Sequence, residues 1–470
     1  MTTLHKLSLI AVTLLLAGCS IAPSYTTPPS PITEQWKSDR AAQHSSATTD
    51  WKTFIKDEQL RHLVEMALAN NRDLRQTLLN VDVARAQYRI QRADRLPGIE
   101  AQGSGSRQRV PGDISPTGQA AIQSEWRSGI GLAAFELDLF GRIKSLTDAA
   151  MEEYLTTESN ARGARITLIA EVVQAYLTRN GAVQRYELTN STLQSRQDSL
   201  RLISERRAVG VVFALDYQEA LGLVEQARAE REQVIRQLRQ SENALRLLVG
   251  TNDIDRYLPQ KPVAEEAILQ NIAPGTPSQL LVYRPDIEAA EHRLKSRNAS
   301  IGAARAAFFP RISLTAMYGS ASPELSDLFS GGQQAWSFSP QITLPLFSGG
   351  SNMANLDVAN LRKDIAVADY EKTIQTAFRE VSDALDATDT LRREVLAQES
   401  LTKTNLESLR LAEARYIGGV DGHLRYLDAQ RRAFSSQIQL IDIRTQHQMA
   451  LSTLYRVLGG GWNEENRQVH

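Results

Sequence analysis

The run Arg206-Arg207-Ala208-Val209-Gly210-Val211 recurs as Arg415-Tyr416-Ile417-Gly418-Gly419-Val420 about 209 residues further along the chain, and this repetition decides the fold. Moving outward from the pair, Leu215 and Ala220 align with Leu424 and Ala429, Glu171-Val172 with Glu380-Val381, and Leu245 and Gly250 with Leu454 and Gly459. Slightly different offsets pair Pro97 and Ile99 with Pro310 and Ile312, and Leu137, Leu139 and Phe140 with Leu344, Leu346 and Phe347. The chain therefore reads as two copies of one unit, 51–260 and 261–470, behind a leader.

Each copy reads as a short helix, two strands, a very long helix, a tight turn and a medium helix. The short helices, about Asp73 to Asp94 and Asp286 to Phe308, stop before Pro97 and Pro310. The long helices, about 142–208 and 351–417, contain no proline. At 1.5 Å per residue each spans roughly 100 Å, which no ordinary globular domain uses. The medium helices cover about 214–249 and 422–458 and, stacked on the short ones, match one long helix in length. Apolar or small residues recur in alternating steps of four and three, as in Ala150, Tyr154, Thr157, Ala161, Ala164 and Leu168, and in Ile374, Phe378, Val381, Leu385 and Thr388. That spacing is a coiled-coil seam. The remaining faces are dense in charged and amide side chains, so a rod wetted on much of its circumference is expected, without a solid bundle core.

The strands are expected at about 98–109, 124–138, 311–320 and 336–346. In the last, Trp336, Phe338, Pro340, Ile342, Leu344 and Leu346 form one face, and Ser337, Ser339, Gln341 and Thr343 lie on the other. Each strand is close to the length that crosses a tilted bilayer path. Gly, Pro and Ser cluster in about 110–123 and 319–335, as suits exposed loops. Four strands cannot close a barrel and open edges do not survive in lipid, so several copies of the chain must combine.

The N-terminus agrees with an envelope protein. His5 and Lys6 precede the apolar run Leu7 to Leu16, then Ala17, Gly18 and Cys19. The run is too short for a transmembrane helix and reads as a signal peptide, 1–18, removed before Cys19. Leu16-Ala17-Gly18-Cys19 resembles the bacterial lipobox, which implies acylation of Cys19, and Ser20 resembles the sorting position of outer-membrane lipoproteins. Residues 19–50, rich in Pro, Ser and Thr, then form an extended leader from the lipid. Of 470 residues, 42% are apolar and 23% charged, and the formal net charge is −1. No basic field exists to gather nucleic acid. The single cysteine excludes an internal disulfide and a cysteine-based metal cluster.

With the lipobox and the duplication, Phe140-Gly141-Arg142 and Phe347-Ser348-Gly349-Gly350 at the strand-to-helix junctions carry a resemblance, as do Val209-Gly210-Val211 with Leu215-Asp216 and Gly419-Val420-Asp421 with Leu427-Asp428-Ala429-Gln430. The chain resembles the outer-membrane efflux proteins, TolC-like factors of the NodT lipoprotein type, over essentially its whole mature length. The resemblance implies a mainly α fold with a small β part: a homotrimer in which a twelve-stranded outer-membrane barrel, four strands per chain, continues into an α-helical periplasmic barrel. Residues near Asn271 and after Gly459 would lie in its equatorial belt. The turns would be periplasmic tips that dock a membrane-fusion adaptor through Gly210, Val211, Leu215, Gly419, Val420 and Leu424, besides their local role in turning the chain. Asp421 and Asp428 would line a gate as rings of like charge, with Tyr416 and Arg415 bracing it; both acids also suit helix caps and turns, and Arg425 stands ready to neutralise one ring. Trp336, Phe338, Ile342, Leu344 and Leu346 would face outer-membrane lipid. A proton-driven inner-membrane transporter would supply energy.

No phosphate loop, His-Glu-x-x-His or Gly-x-Ser-x-Gly occurs, and the histidines lack metal-ligand spacing. An exit duct without catalysis, cofactor or metal is expected. Two other readings stay open at this point: an outer-membrane channel of a protein secretion system of the same family, and a periplasmic coiled-coil scaffold lipoprotein.

Overall fold

In a computed structural model, residues 21–32, 49–115, 118–259, 261, 267–272, 281 and 283–461 are described. The signal peptide and Cys19 lie outside them. In chain order the main elements are α1 (Glu58–Asn70), α2 (Arg72–Ala93), β1 (Ile99–Val110), β2 (Ala121–Leu137), α3 (Arg142–Ala208), α4 (Ala214–Val249), α5 (Pro285–Ala306), β3 (Arg311–Ser322), β4 (Gln334–Thr343), α6 (Ser351–Ile417) and α7 (His423–Val457). The helices α3 and α6 have 67 residues each. No described helix is long and apolar enough to cross a membrane. The chain divides into two units.

One unit gathers Asn80–Glu158 and Ala289–Tyr370 with the leader up to Pro29. Its sheet is antiparallel in the order β1-β2-β3-β4. Ile130 faces Tyr318, and Tyr318 faces Trp336, so bulky side chains align across three strands. A bulge between Leu132 and Phe135 carries Ala134 at φ 45°. Both β1 and β4 have one unpaired edge within the chain. At the strand-to-helix junction, Arg142 donates Nε and Nη2 to the Glu136 carboxylate at 2.8 and 2.7 Å. Arg311 reaches the same carboxylate at 2.6 Å, so two cations hold one buried acid where strand becomes helix. The leader lies along α5: Asn298 Nδ2 donates to the Pro23 carbonyl at 2.8 Å and Tyr25 Oη to Glu291 at 3.2 Å.

Two expectations for the strands are corrected. The apolar alternation carries the fourth strand to Leu346, but β4 ends at Thr343, opposite Arg311 where its partner β3 begins, so Leu344 and Leu346 lie beyond the strand. The paired strands also run further into the loops than turn composition suggests, since Val110 pairs with Ala121 and β3 continues to Ser322. Backbone pairing satisfies these polar groups whatever the local propensity.

The other unit comprises Ser30–Leu79, Ser159–Glu288 and Glu371–His470. Here the expectation of no solid core is overturned. Phe54, Leu60, Leu63, Val64, Val172, Val173, Tyr176, Leu245, Ile254, Ile268, Leu451 and Tyr455 belong to one buried cluster. Phe54 stacks on Tyr455 with centroids 4.1 Å apart. The physical reason is local: α1, capped by Asp57 accepting from the Leu60 amide at 2.7 Å, packs together with Ile254, Leu258, Ala267 and Ile268 in one cluster with Leu168, Val172, Val173 and Tyr176 of α3. Arg284, itself buried, gathers four hydrogen bonds beside this core, to both oxygens of Asp286, to Glu380 and to the Val457 carbonyl.

Candidate functional site

Both repeated turns are built by the same backbone device. At the end of α3 the Val211 amide donates to the Arg206 carbonyl and Gly210 to Arg207, each at 3.0 Å. At the end of α6 the Val420 amide donates to Arg415 at 2.9 Å and Gly419 to Tyr416 at 3.1 Å. This paired pattern is the Schellman closure of a helix, and it requires a left-handed residue one position before its end. Gly210 at φ 80° and Gly419 at φ 70° supply it. The duplication in sequence is thus a duplication of two hydrogen bonds that stop a long helix and turn the chain back.

These turns push apolar side chains into solvent. Val211, Leu215, Val420 and Leu424 are exposed as the turn pattern suggests, and so are Val209, Ile417 and above all Phe213, 82% exposed. Sequence reasoning missed Phe213, although an aromatic residue without periodic partners, between Val211 and Leu215, is a readable signal.

Behind the second turn two of the gate candidates, Arg415 and Asp421, pair with each other. Arg415 donates Nε and Nη2 to the two Asp421 oxygens at 2.6 and 3.1 Å, and Arg425 approaches at 3.5 Å. The Arg415 hydrogen bonds hold the Asp421 carboxyl below the usual aspartate range. Within the chain Asp421 is therefore a neutralised latch that ties the end of α6 to the start of α7. Asp428 stands apart and pairs with Arg432 one helical turn on, at 2.7 Å. Tyr416 links the two turns: Arg206 donates to its hydroxyl at 3.3 Å and lies over its ring at 5.3 Å.

Tyr416 also stacks on Tyr426 at 5.6 Å and meets His423 at 5.0 Å. Neither ring nitrogen of the buried His423 has a hydrogen-bond partner among the described residues. Burial pushes its pKa down; Asp216 and Glu219 oppose the shift and Arg206 adds to it. Burial likewise raises the Tyr426 hydroxyl, which donates to Glu413 at 3.3 Å. A cavity of about 460 Å³ opens here, lined among others by Ser195, Asp198, Glu413, Tyr416, His423 and Tyr426. His423, Tyr426 and Glu413 were not singled out from the sequence, and Arg206 only as part of the duplicated run, because their roles arise only where α3, α6 and α7 meet.

In the sheet, Trp336, Phe338 and Ile342 are exposed along β4, Trp336 to 74%. Leu344 and Leu346 are exposed past its end. Among the described residues, no cluster of three His, Cys, Asp or Glu side chains is placed to hold a metal ion.

A family model described as "Outer membrane efflux protein" matches residues 63–251 and 276–460. The chain is 57% identical over 459 residues to Outer membrane protein OprJ of Pseudomonas aeruginosa, covering 97% of this chain and 96% of that one. It is 46% identical over 475 residues to the Toluene efflux pump outer membrane protein TtgC of Pseudomonas putida, covering 100% and 98%. Its fold is similar to the open state of the Neisseria gonorrhoeae MtrE outer membrane channel, with a TM-score of 0.85 and 35% identity, covering 94% of this chain and 98% of that one.

Proposed function

Because the chain belongs to the outer membrane efflux protein family, TolC-like in fold and an efflux component of the outer membrane, we propose that three copies close one twelve-stranded barrel and act as the passive exit duct of a tripartite pump. The observation that carries this reading is the four-stranded sheet with two unpaired edges and an exposed aromatic face. Unpaired backbone N–H and C=O groups cost several kcal/mol each in hydrocarbon, so β1 of one copy must meet β4 of the next. Trp336, Phe338 and Ile342 then face lipid, with Trp336 in an interfacial girdle.

Acyl chains on Cys19 anchor the duct, and the leader along α5 fixes where they enter the membrane. The exposed apolar tips receive a periplasmic membrane-fusion adaptor, in contact with a proton-driven inner-membrane transporter. The Arg415–Asp421 latch and the Arg206–Tyr416 bridge keep the tips in their resting arrangement until adaptor contact rearranges them. The duct contributes no chemical step. Its cargo is small and partly apolar, in line with the toluene pump named for one relative. Conductance in planar bilayers tests the proposal: purified protein is expected to give discrete ion-conducting steps, and a protein that binds bilayers without conducting returns the chain to a scaffold role.

A further inference from the structure

We propose that the cavity behind the second turn binds a small amphiphilic primary ammonium ion, with Glu413, Asp198 and His423 accepting its N–H groups, and that the bound cation clamps α3 to α6 and α7. The binding stands on this cavity alone; the effect of the clamp on opening rests on the duct reading.

The space of about 460 Å³ falls within the range of about 300–1,000 Å³ that small-molecule pockets occupy. Its walls are of two kinds. Leu202, Ile203 and Ile417, with the rings of Tyr416 and Tyr426, make an apolar side. Asp198 and Glu413 bring two carboxylates, and no Lys or Arg is among the lining residues. Surplus negative charge beside an apolar wall selects a cation with an apolar body. The hydrogen-bond inventory narrows the class. His423 is 7% exposed, and neither ring nitrogen has a partner among the described residues. Burial disfavours its charged form, and a neutral imidazole keeps one nitrogen as an acceptor. A buried acceptor left unmet is costly, so the fitting ligand brings a donor, which a quaternary ammonium lacks. A primary ammonium carries three N–H groups, enough for His423 and both acids.

The partners already present leave these roles open. Among the described residues Glu413 accepts the Tyr426 hydroxyl at 3.3 Å and makes no ion pair. Asp198 pairs with Arg201 at 3.1 Å, but the two side chains are 47% and 71% exposed, and a pair so wet yields readily. The placement of the walls decides the consequence. Ser195 and Asp198 belong to α3, Glu413 and Tyr416 to α6, and His423 and Tyr426 to α7. A ligand held from all three helices keeps its contacts only while they stay together. It therefore favours the arrangement in which the Arg206–Tyr416 bridge is made.

The test is calorimetric titration of the full-length protein in nonionic detergent, with phenethylammonium as the probe and phenethyl alcohol as its neutral counterpart of nearly equal shape. The parent is expected to bind the cation about tenfold more tightly than the alcohol. Glu413→Gln is expected to weaken the cation about tenfold, and His423→Phe, which keeps a buried ring, about fivefold. Glu205→Gln removes an acid of α3 outside the cavity and is expected to change nothing. Ser195 is exposed, so Ser195→Phe fills the space from its rim and is expected to abolish binding while the helical melt stays at the parental temperature. Equal affinity for cation and alcohol, or undiminished cation affinity in Glu413→Gln or Ser195→Phe, overturns the site. Amide exchange at both turns is expected to slow severalfold under saturating phenethylammonium in the parent and not in Ser195→Phe; unchanged exchange overturns the clamp. In planar bilayers the same addition is expected to lower open probability, and a conducting protein whose open probability stays level also overturns the clamp. A protein that binds the cation and slows exchange but never conducts keeps the site and loses the duct reading.

Discussion

Arg284 offers the most exposed wager on the energetics, because its side chain is buried at 9% exposure and four hydrogen bonds converge on it. Its Nη2 lies 2.5 Å from Asp286 and 2.8 Å from Glu380, its Nε 2.9 Å from Asp286, and its Nη1 3.0 Å from the Val457 carbonyl. Burial works against the guanidinium charge, yet the two carboxylates outweigh it and the pKa is raised. Arg284→Met keeps most of the apolar volume and removes every donor. It leaves two like charges facing each other and an unpartnered carbonyl at the end of α7. Breaking a buried ion pair costs about 3–5 kcal/mol, and the lower end applies because Asp286 and Glu380 retain 46% and 30% side-chain exposure. At about 3 kcal/mol, a cooperative unit of this size melts roughly 3–5 °C lower. The assay is the helical circular-dichroism signal in detergent at one fixed scan rate, since large membrane proteins unfold irreversibly. Arg284→Met/Glu380→Gln, which removes one of the stranded charges, is expected to recover part of the loss. A single variant melting within about 1 °C of the parent would refute the reasoning, because the convergence would then be worth no more than a surface pair.

Three further outcomes are expected. Asp421→Ala frees Arg415 and is expected to increase single-channel open time and leak of bulky solutes, with unchanged conductance removing the latch from the gate; the carboxylate is held below its ordinary pKa, so the latch is complete above about pH 4 and fails as pH falls through that lowered value. His423 is kept neutral by burial, so the folded tip is fully favoured above about pH 6.5 and loses stability as pH falls from there toward the depressed folded pKa; amide exchange at the tip, corrected for intrinsic rate, should quicken between pH 7.5 and 5.5 in the parent and stay level in His423→Phe. Cys19→Ser is expected to abolish incorporation of labelled palmitate while leaving the folded helices intact, and retained label would refute the lipobox reading.

Sequence alone determined the parts whose cause is local. A proline-free run cannot be interrupted by a missing N–H, and a glycine that closes a Schellman turn has no substitute of equal ease, so the two long helices and the two tips could be read from Arg142 to Val211 and from Ser351 to Val420. The duplicated order and the alternation in Trp336, Phe338 and Ile342 likewise belong to single segments with their own period. The helix α1 went unread, although Asp57 as a cap and the spacing of Leu60, Leu63, Val64 and Ala67 carry a signal for it: only packing against Val172, Tyr176 and Leu245 turns that stripe into a core. Tertiary structure alone decided the end of β4, where the start of β3 at Arg311 leaves Leu344 and Leu346 without a ladder whatever the side-chain pattern. It also decided which charges meet. Arg415 with Asp421 crosses a turn, Arg206 with Tyr416 joins residues 210 positions apart, and Arg284, just before α5, reaches Glu380 on α6. Composition can count such groups, but an ion pair or a buried histidine exists only by distance, and distance between remote segments is a property of the folded chain.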